Sequence, residues 1–487
     1  MDLLSFLPSF LAIFHFLLVV GIALRVIMQR PDTGVALAWL FIVAAFPYTG
    51  AGIYLLLGEK RISKRREQRI SNQKDDYVKL LQHIESRRMT DVPWEKHPVE
   101  AKGMNRLGVN TIGFPTVTGN SGTLFSNTEE ILDAIIEDID NAKFGVLMQF
   151  YIWHRGGKAD EVLEALIRAA KRGVTCLVLI DAMGARSWWN SSQPRKLRNA
   201  GVQVLRSLPV SIFHTLFSRT DLRNHRKIVI IDGDIAWTGS MNMVDPKFFK
   251  QDGNYGEWVD AMVRLEGYAI VPLGLTMIGD WVREKGESIR EVISKTHLDE
   301  IQARGTTDIQ VVPSGPGETY DGLLQMLLAT INYAKKELIL TTPYFVPDEA
   351  LLLALRGAAA RGVEVHLILP EVVDSFLTRY ASRSYYDDLL EVGIHIHLYR
   401  VGLLHTKSIT ADSNITMFGT ANLDMRSLWI NYEVALFVYG EEFAKEIRDL
   451  QQTYIADSDL LDPKKWAKRS MGQRVLENTC RLTSPIL

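Results

Sequence analysis

Two of the eleven histidines stand in the same local pattern: His225-Arg226-Lys227 with Asp232 seven residues beyond the histidine, and His405-Thr406-Lys407 with Asp412 at the same distance. Seven residues after each aspartate a glycine opens a short polar tract, Gly239-Ser240-Met241-Asn242 in one case and Gly419-Thr420-Ala421-Asn422 in the other. An imidazole can attack or pass a proton, an ammonium neutralises an anion, and a hydroxyl and amide beside a glycine suit phosphate oxygens. Two copies at identical spacing are not accidental, and their groups suit phosphate oxygens. The runs after the histidines suit strands, where residues two apart share a face, so each histidine projects with its lysine. The same parity sends Asp232 and Asp412 to the opposite face unless a bulge intervenes. Within the candidate catalytic set His225, Lys227, Asp232, His405, Lys407 and Asp412, the two aspartates are thus read as structural partners of another buried group. Ser240, Asn242, Thr420 and Asn422 are the candidate phosphate-binding residues. Asp260 and Glu433 each lie seven residues before a glycine, Gly267 and Gly440, and could orient a histidine. The alternative for both is an exposed acid at a strand start.

These residues need a scaffold, and the chain offers the same one twice. Ile139-Asp140-Asn141-Ala142-Lys143 recurs as Ile331-Asn332-Tyr333-Ala334-Lys335, each closing a helix-like run and followed by an apolar strand-like run at 146–153 and 338–346. Alanine- and leucine-rich runs at 162–172 and 351–361 both end Arg-Gly-Val, with the glycine placed as a helix C-cap, and lead into β-branched runs. Gly201-Val202-Gln203-Val204 is echoed by Gly393-Ile394-His395-Ile396. Strands alternating with helices predict two α/β halves, each with a mixed or parallel sheet covered by helices. The expected divisions are 1–62, 63–110 as a linker, 111–304 and 305–487.

The apolar residues concentrate near the start. Stretches 3–24 and 35–58 carry no formal charge, and each is long enough to cross a bilayer as a helix, which predicts a two-helix transmembrane hairpin. A cleaved signal peptide fits poorly, since the chain begins Met1-Asp2 without a basic stretch. Arg25 and Arg30 lie between the runs, whereas Lys60, Arg61, Lys64, Arg65, Arg66 and Arg69 follow them, so the positive-inside rule puts the remainder in the cytoplasm. The basic cluster also suits anionic head groups, although a solvated charged helix fits the same residues.

Over 487 residues the chain is 47% apolar and 23% charged with a formal charge of -2, which argues against global disorder and against a strongly basic nucleic-acid binder. Its two cysteines, Cys176 and Cys480, argue against a disulfide scaffold or a cysteine-rich metal module. Trp188-Trp189, Ile212-Phe213 and Leu216-Phe217 fit either a lipid-facing rim or the core. Gly315-Pro316-Gly317 reads as a turn rather than a phosphate loop, and His395 with His397, which share a strand face, as packing rather than metal ligands.

The paired His-x-Lys-x4-Asp-x6-Gly-Ser/Thr-x-Asn motifs resemble those of the phospholipase D superfamily. Together with the 419–427 and 342–347 tracts and the two apolar N-terminal runs, the chain is similar over nearly its whole length to bacterial cardiolipin synthases. The resemblance implies two phospholipase D-like domains packed about a pseudo-twofold axis behind the hairpin, in a bacterial inner membrane. Both motifs would face one metal-free site that needs no cofactor and transfers a phosphatidyl group between phosphatidylglycerol molecules, giving cardiolipin and glycerol. It further implies His225 as nucleophile and His405 as acid and base, with Lys227, Lys407, Asn242 and Asn422 on the phosphate oxygens. Water or another alcohol as acceptor is the rival reading, and a non-enzymatic lipid scaffold the remoter one; a homo-oligomer stays open.

Overall fold

The computed structural model describes residues 3–29, 33–58, 89–209, 221–250, 253, 255–298, 301–316 and 321–484, with no side chains before Ile13 or at 56 and 57. The N-terminal helices, with residues 221 and 222, belong to one compact unit, and the remainder of the fold to another.

In the larger unit the first half supplies β1 (Val117–Phe125), β2 (Gly145–Phe150), β3 (Thr175–Asp181), β4 (Gln203–Ser207), β5 (Ile228–Ile231), β6 (Ile235–Gly239), β7 (Trp258–Val259) and β8 (Met262–Glu266). The second half supplies β9 (Thr307–Ser314), β10 (Glu337–Thr341), β11 (Phe345–Val346), β12 (Glu364–Pro370), β13 (His395–Tyr399), β14 (Leu403–Leu404), β15 (Ser408–Ala411), β16 (Ile415–Gly419), β17 (Leu423–Asp424), β18 (Glu433–Tyr439) and β19 (Ser458–Leu460). Fifteen of them form one sheet. Outward from the antiparallel β1–β9 junction, one wing runs β1-β8-β6-β5-β2-β3-β4 and the other β9-β18-β16-β15-β10-β12-β13-β19. The wings match strand for strand up to the added β19. In both, the outer three-strand set, β2-β3-β4 or β10-β12-β13, is parallel, and the strands nearer the junction are antiparallel.

Sequence explains the mixture. A parallel strand covered on both faces needs a nearly continuous apolar run, and all six residues of β2 are buried. The crossover helix Lys158–Lys171 buries Ala159, Val162, Leu163 and Leu166 at helical spacing. Its counterpart Glu349–Ala360 buries Leu351, Leu352, Leu355 and Ala358. Each Leu withdrawn from water contributes about 1.5–3 kcal/mol. Both helices stop where the Arg-Gly-Val signals stand, with Gly173 at φ 91° and Gly362 at φ 89°, left-handed positions that glycine takes without strain.

Three expectations need revision or refinement. The helix Val99–Ile112, in the stretch read as linker, buries Ala101 and Met104 in the core of the second half. The second apolar run is not one helix: Thr33–Ala45 is followed by Pro47–Ile53 and a π turn at Tyr54–Gly58, with Phe46 at φ -133°, ψ 70° between them. Pro47 lacks an N–H and disfavours helical geometry at the preceding residue. The first run lies in the helix Leu3–Gln29. Among the described residues no helix is long and apolar enough to cross a membrane; the side chains of 3–12, within the first run, lie outside them. So does the basic cluster at 60–69.

Candidate active site

The two histidines reach their positions through crossed strand pairing. Asn224 pairs with Tyr432 in a parallel bridge, His225 N–H donating to the Tyr432 carbonyl at 2.9 Å, so His225 lies beside Glu433 of the other half. In the same way β14 pairs with β7, Leu404 opposite Val259, and His405 N–H donates to the Val259 carbonyl at 2.8 Å, beside Asp260. His225 Nδ1 is 2.9 Å from Glu433 Oε2, and His405 Nδ1 is 2.7 Å from Asp260 Oδ1. The carboxylates are acceptors, so each Nδ1 carries the hydrogen and each Nε2 is left with its lone pair. Each half therefore orients the histidine of the other.

The motif glycines permit a close approach that fixes those carboxylates. A Cβ on Gly239 would stand 2.4 Å from the Ala261 carbonyl, and one on Gly419 2.4 Å from the Val434 carbonyl. With that contact allowed, Ser240 Oγ donates to Asp260 at 2.6 Å while accepting from Ala261 N–H, and Thr420 Oγ1 donates to Glu433 at 2.6 Å while accepting from Val434 N–H. This corrects the reading of Ser240 and Thr420 as phosphate ligands: both are fully buried, and their hydroxyls are committed to the carboxylates.

Asp232 and Asp412 also differ from their place in the catalytic set. Asp232 accepts from the N–H groups of Lys143, Phe144 and Gly145 at 2.7, 2.7 and 2.9 Å, and Asp412 from those of Lys335, Lys336 and Glu337 at 2.9, 2.8 and 2.9 Å. Each sits in a hairpin turn with positive φ, 53° and 50°, a conformation aspartate tolerates better than most residues. They hold the helix-to-strand loops that begin β2 and β10, the parallel strands nearest the junction. Strand parity places them on that face; the partner is backbone.

Lys227 and Lys407 are buried, each Nζ donating to the carbonyl of its own motif histidine, Lys227 at 2.7 Å. Burial lowers both ammoniums, Lys227 to about 8 and Lys407 to about 7, against the pull of Glu433 and Asp260. Burial likewise lowers His225 and His405 to about 4, the neighbouring carboxylates opposing it and the lysines reinforcing it. His225 feels the charge of Lys407 as well as Lys227, and His405 that of Lys227 as well as Lys407. One charge system therefore spans both motifs. Asn242 Oδ1 accepts from Ile152 N–H at 3.1 Å, leaving its amide NH2 as a donor, and Asn422 is buried within the Gly419–Arg426 tract.

Several residues around the site belong to no motif. Arg226, between His225 and Lys227, is buried, donating to the Glu433 carbonyl, Asp280 and the Ser314 carbonyl at 2.9, 2.8 and 2.9 Å. An acid directly after the uncharged run Ile270–Gly279 of the helix Ile270–Lys285 was the available sequence signal for Asp280. The Tyr151 ring lies 5.0 Å from His225, and Trp258 lies 4.3 Å from His405. Trp188 and Trp189 are core residues, Trp188 stacked on Trp153, which removes them from a lipid-facing rim. Residues 212–217 and Gly317 lie outside the described residues; Gly315 follows β9 directly, its Cα against the Tyr432 ring. His397 hydrogen-bonds His366 on the adjoining strand at 3.0 Å, with His395 stacked on the same ring. Among the described residues no group of three or more His, Cys, Asp or Glu is arranged to hold a metal ion.

Family models agree with this geometry. The one described as "Cardiolipin synthase, PLD-like domain" matches twice, at 135–258 and 327–453, once on each half, and "Phospholipase_D-nuclease N-terminal" matches 17–59. Cardiolipin synthase A of Erwinia tasmaniensis is 40% identical over 486 residues, 98% of each chain, and that of Proteus mirabilis 40% identical over 490 residues, 99% of each. A solved phosphatidylserine synthase from Haemophilus influenzae shares the fold, with TM-score 0.58 at 14% identity over 79% of this chain and 100% of that one. With two matched domains, one on each side of a shared two-histidine site, and relatives alike from end to end, the chain belongs to the cardiolipin synthase family of phospholipase D-like phosphatidyltransferases.

Proposed function

We propose that the site makes cardiolipin from two phosphatidylglycerols by double displacement. His225 Nε2 attacks the phosphorus of the first, the bond from phosphorus to the glycerol oxygen breaks, and His405 gives that oxygen a proton. The products are phosphatidyl-His225 and glycerol. A head-group hydroxyl of the second phosphatidylglycerol then loses its proton to His405 and attacks phosphorus, the phosphorus–nitrogen bond breaks, and cardiolipin leaves. Lys227, Lys407 and the amide of Asn242 balance the phosphate oxygens, with Asn422 in the matching place. The observation that carries this reading is the crossed pairing, which holds two imidazoles with their Nε2 lone pairs free around one pair of ammoniums.

The unliganded charges also fit. Two ammoniums and two carboxylates balance, so the phosphodiester anion arrives uncompensated and favours a proton on one imidazole. Substrate thus raises the acid histidine from about 4 at the moment its proton is needed.

The helix Leu3–Gln29 and its companions are read as the membrane anchor, supported by Phe16, Leu24 and Met28, which are 64%, 57% and 79% exposed on the N-terminal unit. The basic cluster supports a cytoplasmic placement of both catalytic halves. Incubation of the detergent-solubilised full chain with phosphatidylglycerol alone tests the reaction: cardiolipin and glycerol should appear one to one. Phosphatidic acid as the main lipid product would mean that water is the acceptor.

A further inference from the structure

Among the described residues His405 has, in addition to its orienting acid, a nearby carboxylate that a phenol hydrogen-bonds, whereas Tyr151 against His225 feels the charge of Asp181. Trp258 packs on His405, and Lys250 Nζ lies 5.3 Å above the Trp258 ring. Lys250 Nζ then donates to Asp374 Oδ2 at 2.8 Å, and Tyr344 O–H donates to Asp374 Oδ1 at 2.6 Å. Asp374 and His405 act on each other electrostatically, and Tyr344 does so with Tyr151, the residue against His225. Tyr344 is set by β11, whose parallel pairing with β17 ties it to the tract carrying Asn422. Lys250 adopts a φ of 50°, a left-handed conformation a lysine takes only when its surroundings hold it there.

Among the described residues, the matching turn of the first half has no hydrogen-bonded carboxylate–phenol pair. Four residues past β12 stands Asp374; four residues past β3 stands Ala185, and the nearby Asp181 accepts from Met183, Gly184 and Asn224 N–H groups. Displacement chemistry gives the asymmetry a use. The leaving oxygen departs opposite His225 Nε2, on the His405 side, and the acceptor oxygen must attack phosphatidyl-His225 from that same side. One subsite beside His405 therefore meets glycerol both as it leaves and as it arrives. A carboxylate has about four acceptor positions, and the bonds from Lys250 and Tyr344 leave the rest of Asp374 for vicinal hydroxyls.

Resting on the proposed transfer reaction, we propose that Asp374 and Tyr344, positioned by Lys250, form the subsite that reads the hydroxyls of the glycerol head group.

The purified full chain is given phosphatidylglycerol with labelled glycerol and ethanol in competition, and labelled phosphatidylglycerol is measured against phosphatidylethanol. The first displacement is common to both products, so their ratio isolates the acceptor step. Asp374→Asn should lower the glycerol-to-ethanol ratio about 10-fold or more, and Tyr344→Phe and Lys250→Met about 3-fold, because a site built to pair hydroxyls loses its preference when its own polar groups are removed. The ratio needs only residual activity, and Tyr344→Phe removes a single oxygen should Asp374→Asn fold poorly. A ratio within about twofold of wild type in Asp374→Asn and Tyr344→Phe, both folded, overturns the subsite. If wild type makes neither product and no cardiolipin, the transfer reaction itself is refuted; cardiolipin without either product overturns the subsite alone.

Discussion

Behind His225 the protein buries charges, whereas behind His405 it buries hydroxyls. Arg226 ties Asp280 and two carbonyls of the opposite half, while Gln149 Nε2 and Asn224 Nδ2 donate to the same Asp280 oxygen at 2.6 and 3.1 Å. At the position of Arg226 the second half has Thr406, 3.1 Å from Tyr454 O–H, and at that of Asn224 it has Leu404. The helix Glu441–Ala456 of that half offers Gln451, which donates to Ser408 Oγ at 3.0 Å. The motif residues, their orienting acids and the aspartates that hold their loops are duplicated, whereas the buried groups packed behind the histidines have diverged. A twofold arrangement suffices to bind a phosphodiester, but a nucleophile and an acid need different surroundings, and the divergence lies where those surroundings are set.

The largest expected effects ignore the asymmetry. His225→Ala and His405→Ala should each lower turnover about 1,000-fold or more, without adding in the double variant, because both act in one displacement. Either variant at near-normal rate in the cardiolipin assay would separate the motifs into independent sites. Glu433→Gln and Asp260→Asn should each cost about 100-fold or more in kcat, since each replaces the acceptor that fixes a tautomer. Steady-state kinetics on folded protein check this, and loss in only one variant would sharpen the division of labour.

Stability is where the halves should part. Arg226→Met strands part of a buried ion pair and should cost about 3 kcal/mol, against about 1 kcal/mol for Thr406→Val. Denaturant melts in one detergent compare them, and equal losses would contradict the contrast between buried charges and buried hydroxyls. Asp232→Asn and Asp412→Asn, on the other hand, should match one another at about 1–2 kcal/mol with turnover largely kept, because each carboxylate holds the same three backbone groups.

The pH dependence comes from the shifted groups. In the free enzyme His225 must be neutral and His405 protonated, and burial lowers both to about 4, so kcat/KM should peak at about 4 and fall above it, more steeply as Lys407 and Lys227 lose their protons at about 7 and about 8. With the phosphodiester bound, its anion raises His405, so the alkaline limb of kcat should lie above that of kcat/KM. Lys407→Arg, whose charge persists, should remove the added steepness at about 7, and an unchanged slope there would leave the alkaline limb to His405 alone.

The site was legible in the sequence where spacing alone carried it. The His-x-Lys pairs, the off-face aspartates and the acids seven residues before Gly267 and Gly440 all reflect strand parity and repetition, which are local properties. Arg226 with Asp280 was not legible, because 54 residues separate them and neither bears a motif. The roles of Ser240 and Thr420 are not legible either, because a hydroxyl beside a phosphate looks the same in sequence as one beside a carboxylate. In the fold, the duplicated α/β pattern predicted mixed sheets, but not that one 15-stranded sheet joins both halves, since the β1–β9 edge pairing leaves no compositional mark. The break at Phe46 was announced by Pro47, a signal that the uniform apolarity of the run concealed.

The central claim is that the crossed site divides its labour, with His225 taking the phosphatidyl group. Brief reaction with phosphatidylglycerol labelled in its acyl chains, quenched in alkaline denaturant to preserve the phosphorus–nitrogen bond, followed by peptide mass spectrometry, tests it directly. The label should appear on the peptide containing His225, disappear in His225→Ala, and be chased into cardiolipin when phosphatidylglycerol is added before the quench. Label on the His405 peptide would reverse the assignment.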